Sequence, residues 1–220
     1  MANDSPEAGD SVARLVIVRH GETVGNSSIR YHGRTDVPLS ELGRRQMREV
    51  RFALLRRFGD RVFDPVFASP LSRACEGVEI ITGNQPILIE EFVEVDFGDF
   101  EGLTTEEIRE RYPAEFARWD RDRLDPGYAY PHGESRAAFI ERVHRGAARM
   151  VKLIDEAHEG RGGNALMVAH RGVIRAIIQR LADIAPVIEL ASIHVLVRDD
   201  KAANWRPALL DDLSHLQPVK

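Results

Sequence analysis

Two short apolar runs in this chain are nearly alike. Leu15-Val16-Ile17-Val18 leads to Arg19-His20-Gly21, and Ala165-Leu166-Met167-Val168-Ala169 leads to His170-Arg171-Gly172. Apolar runs of this length, closed by glycine, predict strands buried on both faces. The first strand is expected over Val12–Val18 and a later one over Ala165–Ala169. Val66–Ala68, Pro86–Ile89, Ser192–Val197 and Trp205–Leu209 have the same short apolar character, the last at a sheet edge. Between them the spacing becomes helical. One helix is expected from the N-cap Ser40 to about Phe58, and another opened by Ser69-Pro70 with proline at an early helical position. A long one covers about Glu134–His158, and one more runs from His170 to about Leu181. Strands alternating with helices predict an α/β fold: a three-layer αβα sandwich around a mostly parallel sheet.

The stretch 91–131 breaks this rhythm. It is rich in acids, aromatics and turn residues, with short helical pieces around Thr105–Arg111 and Ala114–Asp122. It reads as an excursion over the active edge of the sheet. The chain has 220 residues and no break in composition, so 12–220 is expected to form one domain. Residues 1–11 are acidic without an apolar core, which predicts a disordered tail rather than a signal peptide.

Composition narrows the possible roles. Net charge is −5, which gives no general attraction to nucleic acid or an anionic membrane, and no apolar run is long enough to span a bilayer. Cys75 is the single cysteine, which excludes an intrachain disulfide and suits a cytoplasmic location. Arg44, Arg45, Arg48, Arg51, Arg56 and Arg57 lie on one predicted helix. In an acidic chain they read as a solvated face rather than an RNA-binding one.

In an open α/β sheet, side chains at the carboxyl ends of strands line the ligand crevice. His20 and His170 would both arrive there. An unprotonated His20 is a nitrogen nucleophile. Arg19 offers a planar fork for phosphate or carboxylate oxygens, and Arg73 falls in the first turn of a helix leaving another strand. Two arginines and two histidines at one point make an anion site able to stabilise a transferring phosphoryl group without a metal ion. Such a reaction needs an acid for the leaving oxygen. Glu94 is preferred over Glu90, Glu91 and Asp96, because Phe92 and Phe97 could desolvate it and raise its pKa.

These residues fall into an ordered set: Arg19-His20-Gly21-Glu22-Thr23 with Asn26; Gly33-Arg34-Thr35-Asp36-Val37-Pro38-Leu39-Ser40-Glu41-Leu42-Gly43; Ser69-Pro70-Leu71-Ser72-Arg73-Ala74; Glu94–Gly102; Gly133-Glu134-Ser135; Val168-Ala169-His170; and Ser214-His215-Leu216. In this order they resemble the histidine phosphatase superfamily, in its phosphoglycerate-mutase-like branch. The resemblance implies the phosphoglycerate-mutase-like fold. It implies that His20 becomes phosphohistidine, that Glu94 protonates the leaving alcohol and then activates water, and that Arg19, Arg73 and His170 hold the phosphoryl oxygens. It also implies that Thr23, Asn26 and the loop around Gly33 touch phosphate or substrate. Neither metal nor cofactor is expected.

Some positions depart from the family's pattern. Arg171 stands where many relatives carry a small or neutral residue. His32 and His132 occupy loops where relatives vary, so both are candidates for tuning substrate choice. The longer insertion of dedicated mutases is missing from Thr104–Pro131, which favours hydrolysis over mutase activity. A phosphomonoesterase acting on a small phosphorylated metabolite, as a monomer or homodimer, is therefore expected. A phosphoglycerate mutase and a non-catalytic phospho-ligand module are the alternatives. His144, His158, His194 and His215 are assigned to packing or surface roles. Cys75 lacks the arginine six positions on that a cysteine phosphatase would use.

Overall fold

The structure is a computed structural model that describes residues 12–60, 62–159, 162–199 and 204–216. The expected tail over 1–11 lies outside the described residues. The elements, in chain order, are β1 (Val12–Arg19), α1 (Glu41–Phe58), β2 (Val66–Ala68), α2 (Ser72–Thr82), β3 (Ile87–Leu88), α3 (Thr105–Arg111), α4 (Pro113–Asp122), α5 (Arg136–His158), β4 (Gly163–Ala169), α6 (Arg171–Ala182), β5 (Ile193–Asp199) and β6 (Arg206–Asp212). The strands form one sheet in the order β3-β2-β4-β1-β5-β6. β1, β2, β3 and β4 pair in parallel, while β5 and β6 join antiparallel and close one side.

Alternate side chains of the central strands feed two cores, as the period of two requires. Leu15, Ile17, Ala165 and Met167 pack with Phe139, Val143 and Met150 of α5 and Ile174 and Ile177 of α6. Val16, Val18, Leu166 and Val168 pack with Met47 and Val50 of α1 and Ala74 and Val78 of α2. The sheet thus lies between two helical layers, and β1, paired on both sides, has almost no polar position between its ends.

Three local expectations shift. Pro70 lies outside α2, whose N-cap is Leu71; Ser69 instead accepts a hydrogen bond from the Leu71 N–H at 3.3 Å, so Ser69-Pro70 forms the turn that precedes the helix. α5 begins at Arg136 with Ser135 as its cap, because the Ser135 hydroxyl accepts from the Ala138 N–H and the Glu134 side chain is taken by Arg142. β3 is limited to Ile87–Leu88, both exposed on an edge strand. The N-cap at Ser40 forms as expected, its hydroxyl accepting from the Gly43 N–H at 3.1 Å.

Glycine lets α1 approach the first loop. A Cβ on Gly43 would run into the Glu22 carbonyl, and one on Gly21 would lie 2.6 Å from the Gly43 carbonyl oxygen. This contact of backbone on backbone fixes the chain just after β1.

Candidate active site

The register of the two parallel central strands builds the centre of the site. Arg19 pairs with Ala169, so the next residue of each strand leaves the sheet at the same level. The His20 N–H donates to the Ala169 carbonyl at 3.1 Å. The two imidazole rings stand side by side, centroids 5.1 Å apart. Both are almost fully buried.

Each ring has its tautomer fixed by its neighbours. His20 Nδ1 lies 2.7 Å from the Gly21 carbonyl oxygen, which can only accept, so Nδ1 carries the proton and Nε2 keeps a lone pair. His170 Nδ1 lies 3.3 Å from Arg73 Nε, which can only donate. The proton of His170 therefore sits on Nε2, where it donates to Ser69 Oγ at 2.7 Å. Burial, then the nearby Arg73 charge, holds both histidines well below the ordinary imidazole range. They are neutral at physiological pH.

The two arginines have different settings. Arg19 projects from the end of β1, donates from Nη1 to the Ile188 carbonyl at 3.1 Å, and has a buried Nε–H with no partner among the described residues. Burial, then the charge of Arg171, brings its pKa down to about 10. Arg73 is fully buried in the first turn of α2. Its guanidinium donates to the carbonyls of Thr35 (2.9 Å), His32 (3.2 Å) and Gly33 (2.7 Å). It thus ties the loop after β1 to His170 and brings positive charge to the floor of the site.

Glu94 meets this group from the segment after β3. Its Oε1 accepts from the Val95 N–H at 2.9 Å and its Oε2 from the Gly172 N–H at 2.8 Å, two residues past His170. Burial raises its pKa, opposed by those two N–H donors and by Arg73 and Arg19. Its carboxyl is thus biased toward holding a proton in a site full of positive charge. Gly172 permits the approach, since a Cβ there would lie 2.5 Å from Glu94 Oε1.

Above these groups opens a cleft of about 260 Å³, lined among others by Arg19, His20, His32, Glu94, Phe97 and Arg171. The structure brings Arg19, His20 and Glu94 to its wall and sets Arg73 and His170 behind them. Thr23 is buried, with Oγ1 3.3 Å from His32 Nδ1, and Gly33 is buried beneath the loop. Asn26 is exposed in a left-handed turn, and Ser27 and Ser28 line the cleft there instead. His132 lies away from the cleft, its ring 3.0 Å from Asp99.

Several supporting residues carry no sequence signal of their role. Glu101 accepts from the N–H groups of Gly33, Arg34 and Phe97, each at 3.1 Å, and so folds one loop against another. Arg142 pairs with Glu134 at 2.7 Å and donates to the carbonyls of Glu91, Val93 and Glu94. Glu22 accepts from Thr23, Ser27 and Ser28; burial pushes its pKa up, but these donors outweigh it and hold it below the usual value. Glu101 reaches Gly33 across 68 positions and Arg142 reaches the Glu94 carbonyl across 48, beyond any local pattern. Among the described residues no group of three His, Cys, Asp or Glu side chains is arranged to hold a metal ion.

The model of the histidine phosphatase superfamily (branch 1) matches residues 15–206. The uncharacterized phosphatase PhoE of Bacillus subtilis is 32% identical over 178 residues, covering 80% of each chain. The 2,3-bisphosphoglycerate-dependent phosphoglycerate mutase of Cytophaga hutchinsonii is 33% identical over 178 residues, covering 78% of each. Among solved structures, the mycobacterial glucosyl-3-phosphoglycerate phosphatase superposes with a TM-score of 0.74 at 28% identity, over 91% of this chain and 99% of that one. The chain belongs to the histidine phosphatase superfamily, branch 1.

Proposed function

We propose that the protein is a metal-independent phosphomonoesterase that hydrolyses a small phosphorylated metabolite through phosphohistidine. The observation that carries this reading is the pairing of a neutral, tautomer-fixed His20 with a buried Glu94 across one cleft.

His20 Nε2 attacks phosphorus, and the bond from phosphorus to the alcohol oxygen breaks. Glu94 gives its proton to that oxygen as the alcohol leaves. The phosphorylated imidazole is held by the Gly21 carbonyl on Nδ1–H. Glu94, now a carboxylate, takes a proton from water as the water oxygen attacks phosphorus and the P–N bond breaks. Inorganic phosphate and neutral His20 remain, and Glu94 is again protonated. Arg19 and Arg73 supply the positive charge that opposes the developing negative charge, and the neutral His170 ring, held between Arg73 and Ser69, stands beside them.

The site favours water as acceptor. Ser28, Ile29 and Arg171 on the cleft wall are exposed, so solvent reaches the opening. No described helix is long and apolar enough to cross a membrane.

A release assay tests the reading. Nitrophenyl phosphate and a panel of sugar phosphates, phosphoglycerates and nucleotides are supplied with excess chelator, with His20→Ala as control. Phosphate release that persists in chelator and falls about a thousandfold or more in His20→Ala is expected. Release within tenfold of wild type in His20→Ala removes the assignment. Transfer of the phosphoryl group to 3-phosphoglycerate instead of water identifies a mutase. Tight phosphate binding without release identifies a binding module.

A further inference from the structure

One cation of the cleft has no function in the chemistry above. Arg171 is the first residue of α6, directly after His170, and its exposed side chain lines the opening. Among the described residues it has neither an ion-pair partner nor a side-chain hydrogen bond. Arg30, the other arginine near the opening, is neutralised by Glu107 at 2.6 Å.

The position is locally unfavourable for a positive charge on three counts. A cation at a helix N-terminus opposes the macrodipole. Arg175 lies one turn further on the same helix and is also exposed, and like charges at this spacing repel. Arg19, half-buried in the same cleft, is disfavoured as a cation by Arg171. No described carboxylate offsets these costs. A local rule broken without internal compensation is expected where a ligand supplies the compensation.

The phosphoryl group already has Arg19 and Arg73. Arg171 is more exposed than either and directly precedes Gly172, whose N–H donates to Glu94 at 2.8 Å, so it flanks the acid that must reach the alcohol oxygen. We infer that Arg171 forms a second anion subsite at the cleft mouth, selecting phosphomonoesters whose alcohol carries a carboxylate or a second phosphate. This rests on the phosphomonoesterase reading and deepens it. The fork of Arg171 can take two oxygens of either anion.

Three esters on one glycerol frame separate the possibilities. Glycerol 3-phosphate has a neutral hydroxymethyl group, 3-phosphoglycerate a carboxylate in its place, and glycerol 1,3-bisphosphate a second phosphate. Each is measured as a substrate and as a competitor of nitrophenyl phosphate, with wild type, Arg171→Lys and Arg171→Gln. The competition arm reads binding even where a glycerol ester is not turned over. Wild type is expected to prefer at least one anionic ester over glycerol 3-phosphate by about fivefold or more. Arg171→Gln removes most of that preference, Arg171→Lys keeps part of it, and raising the salt weakens it in wild type. The better anionic ester names the anion. No preference in wild type, or one unchanged in Arg171→Gln, overturns the subsite while His20-dependent hydrolysis of nitrophenyl phosphate still stands. Loss of that hydrolysis would defeat the phosphatase reading instead, and the subsite would then be judged by calorimetry of the same esters, equal affinities in wild type and Arg171→Gln overturning it.

Discussion

At the scale of single residues, burial is the largest influence on the ionisation of the site. His20 is kept neutral among cations, and burial is the largest cause. Glu94 is kept toward its acid form although Arg73 and Arg19 favour its anion, again because burial dominates. The two shifts move in opposite directions, which suits a nucleophile and an acid working at one pH. Glu94→Gln keeps the size of the side chain and one of its two backbone hydrogen bonds, but cannot give up or take a proton. Hydrolysis of alkyl phosphates is expected to fall about a hundredfold or more, and the first step with nitrophenyl phosphate by much less, because nitrophenolate needs no proton to leave. Burst kinetics on the two substrates would check this, and equal losses in the first step would point to another acid.

At the scale of elements, the strands place the histidines and the loops place the rest. Strand identity was legible because β1 and β4 are apolar on both faces, and their histidine ends stood out for that reason. Their adjacency and level register came from the fold. The acid was legible as a choice among four carboxylates; in the structure Glu94 differs from Glu90, Glu91 and Asp96 in being buried and in accepting from the Gly172 N–H. The start of α2 was misplaced because Ser69-Pro70 has helix-opening residues, yet Ser69 serves the turn and His170 instead. Glu101 stood inside the motif Glu94–Gly102 without a role, and Arg142 stood outside every motif, because each clamps its loop largely through backbone atoms that have no sequence signature. Arg142 is the more exacting test. It holds three carbonyls of the Glu94 segment, and Arg142→Ala leaves these without its donors and the Glu134 carboxylate without its cation. A stability loss of about 3 kcal/mol in urea unfolding is expected, together with a lower kcat at unchanged fold. A loss below about 0.5 kcal/mol would show that the segment is held by other contacts.

At the scale of the molecule, buried neutral histidines couple stability to pH. His194 of β5 is fully buried between the Ser192 hydroxyl and the Asp211 N–H, and burial brings its pKa down to about 4. With the folded value below the ordinary 6.5, the unfolded chain binds the extra proton between pH 6.5 and 4. Stability therefore falls as pH drops through that window, by roughly 3 kcal/mol for this residue alone. His20 and His170 act in the same direction. Glu94 acts oppositely, since its raised pKa makes the folded state bind the proton above 4.5 and favours acid. Urea midpoints are expected to decline from pH 7 to 4, and less steeply in His194→Asn. A decline of the same slope in that variant would place the coupling elsewhere. The charged surface has its own balance. Arg44 on α1 pairs with Glu76 of α2 at 2.5 Å and with Glu41 at 3.0 Å.

The covalent step is the centre of the account, and trapping it is the most direct test. The enzyme is mixed with a phosphate ester, quenched in alkali within milliseconds, digested, and the peptide bearing residue 20 is sequenced by mass spectrometry. A phosphoryl group on His20 that survives base and is lost in acid is the predicted result. Under turnover, a phosphoryl group found on another side chain, or none on His20 while phosphate is released, would contradict it.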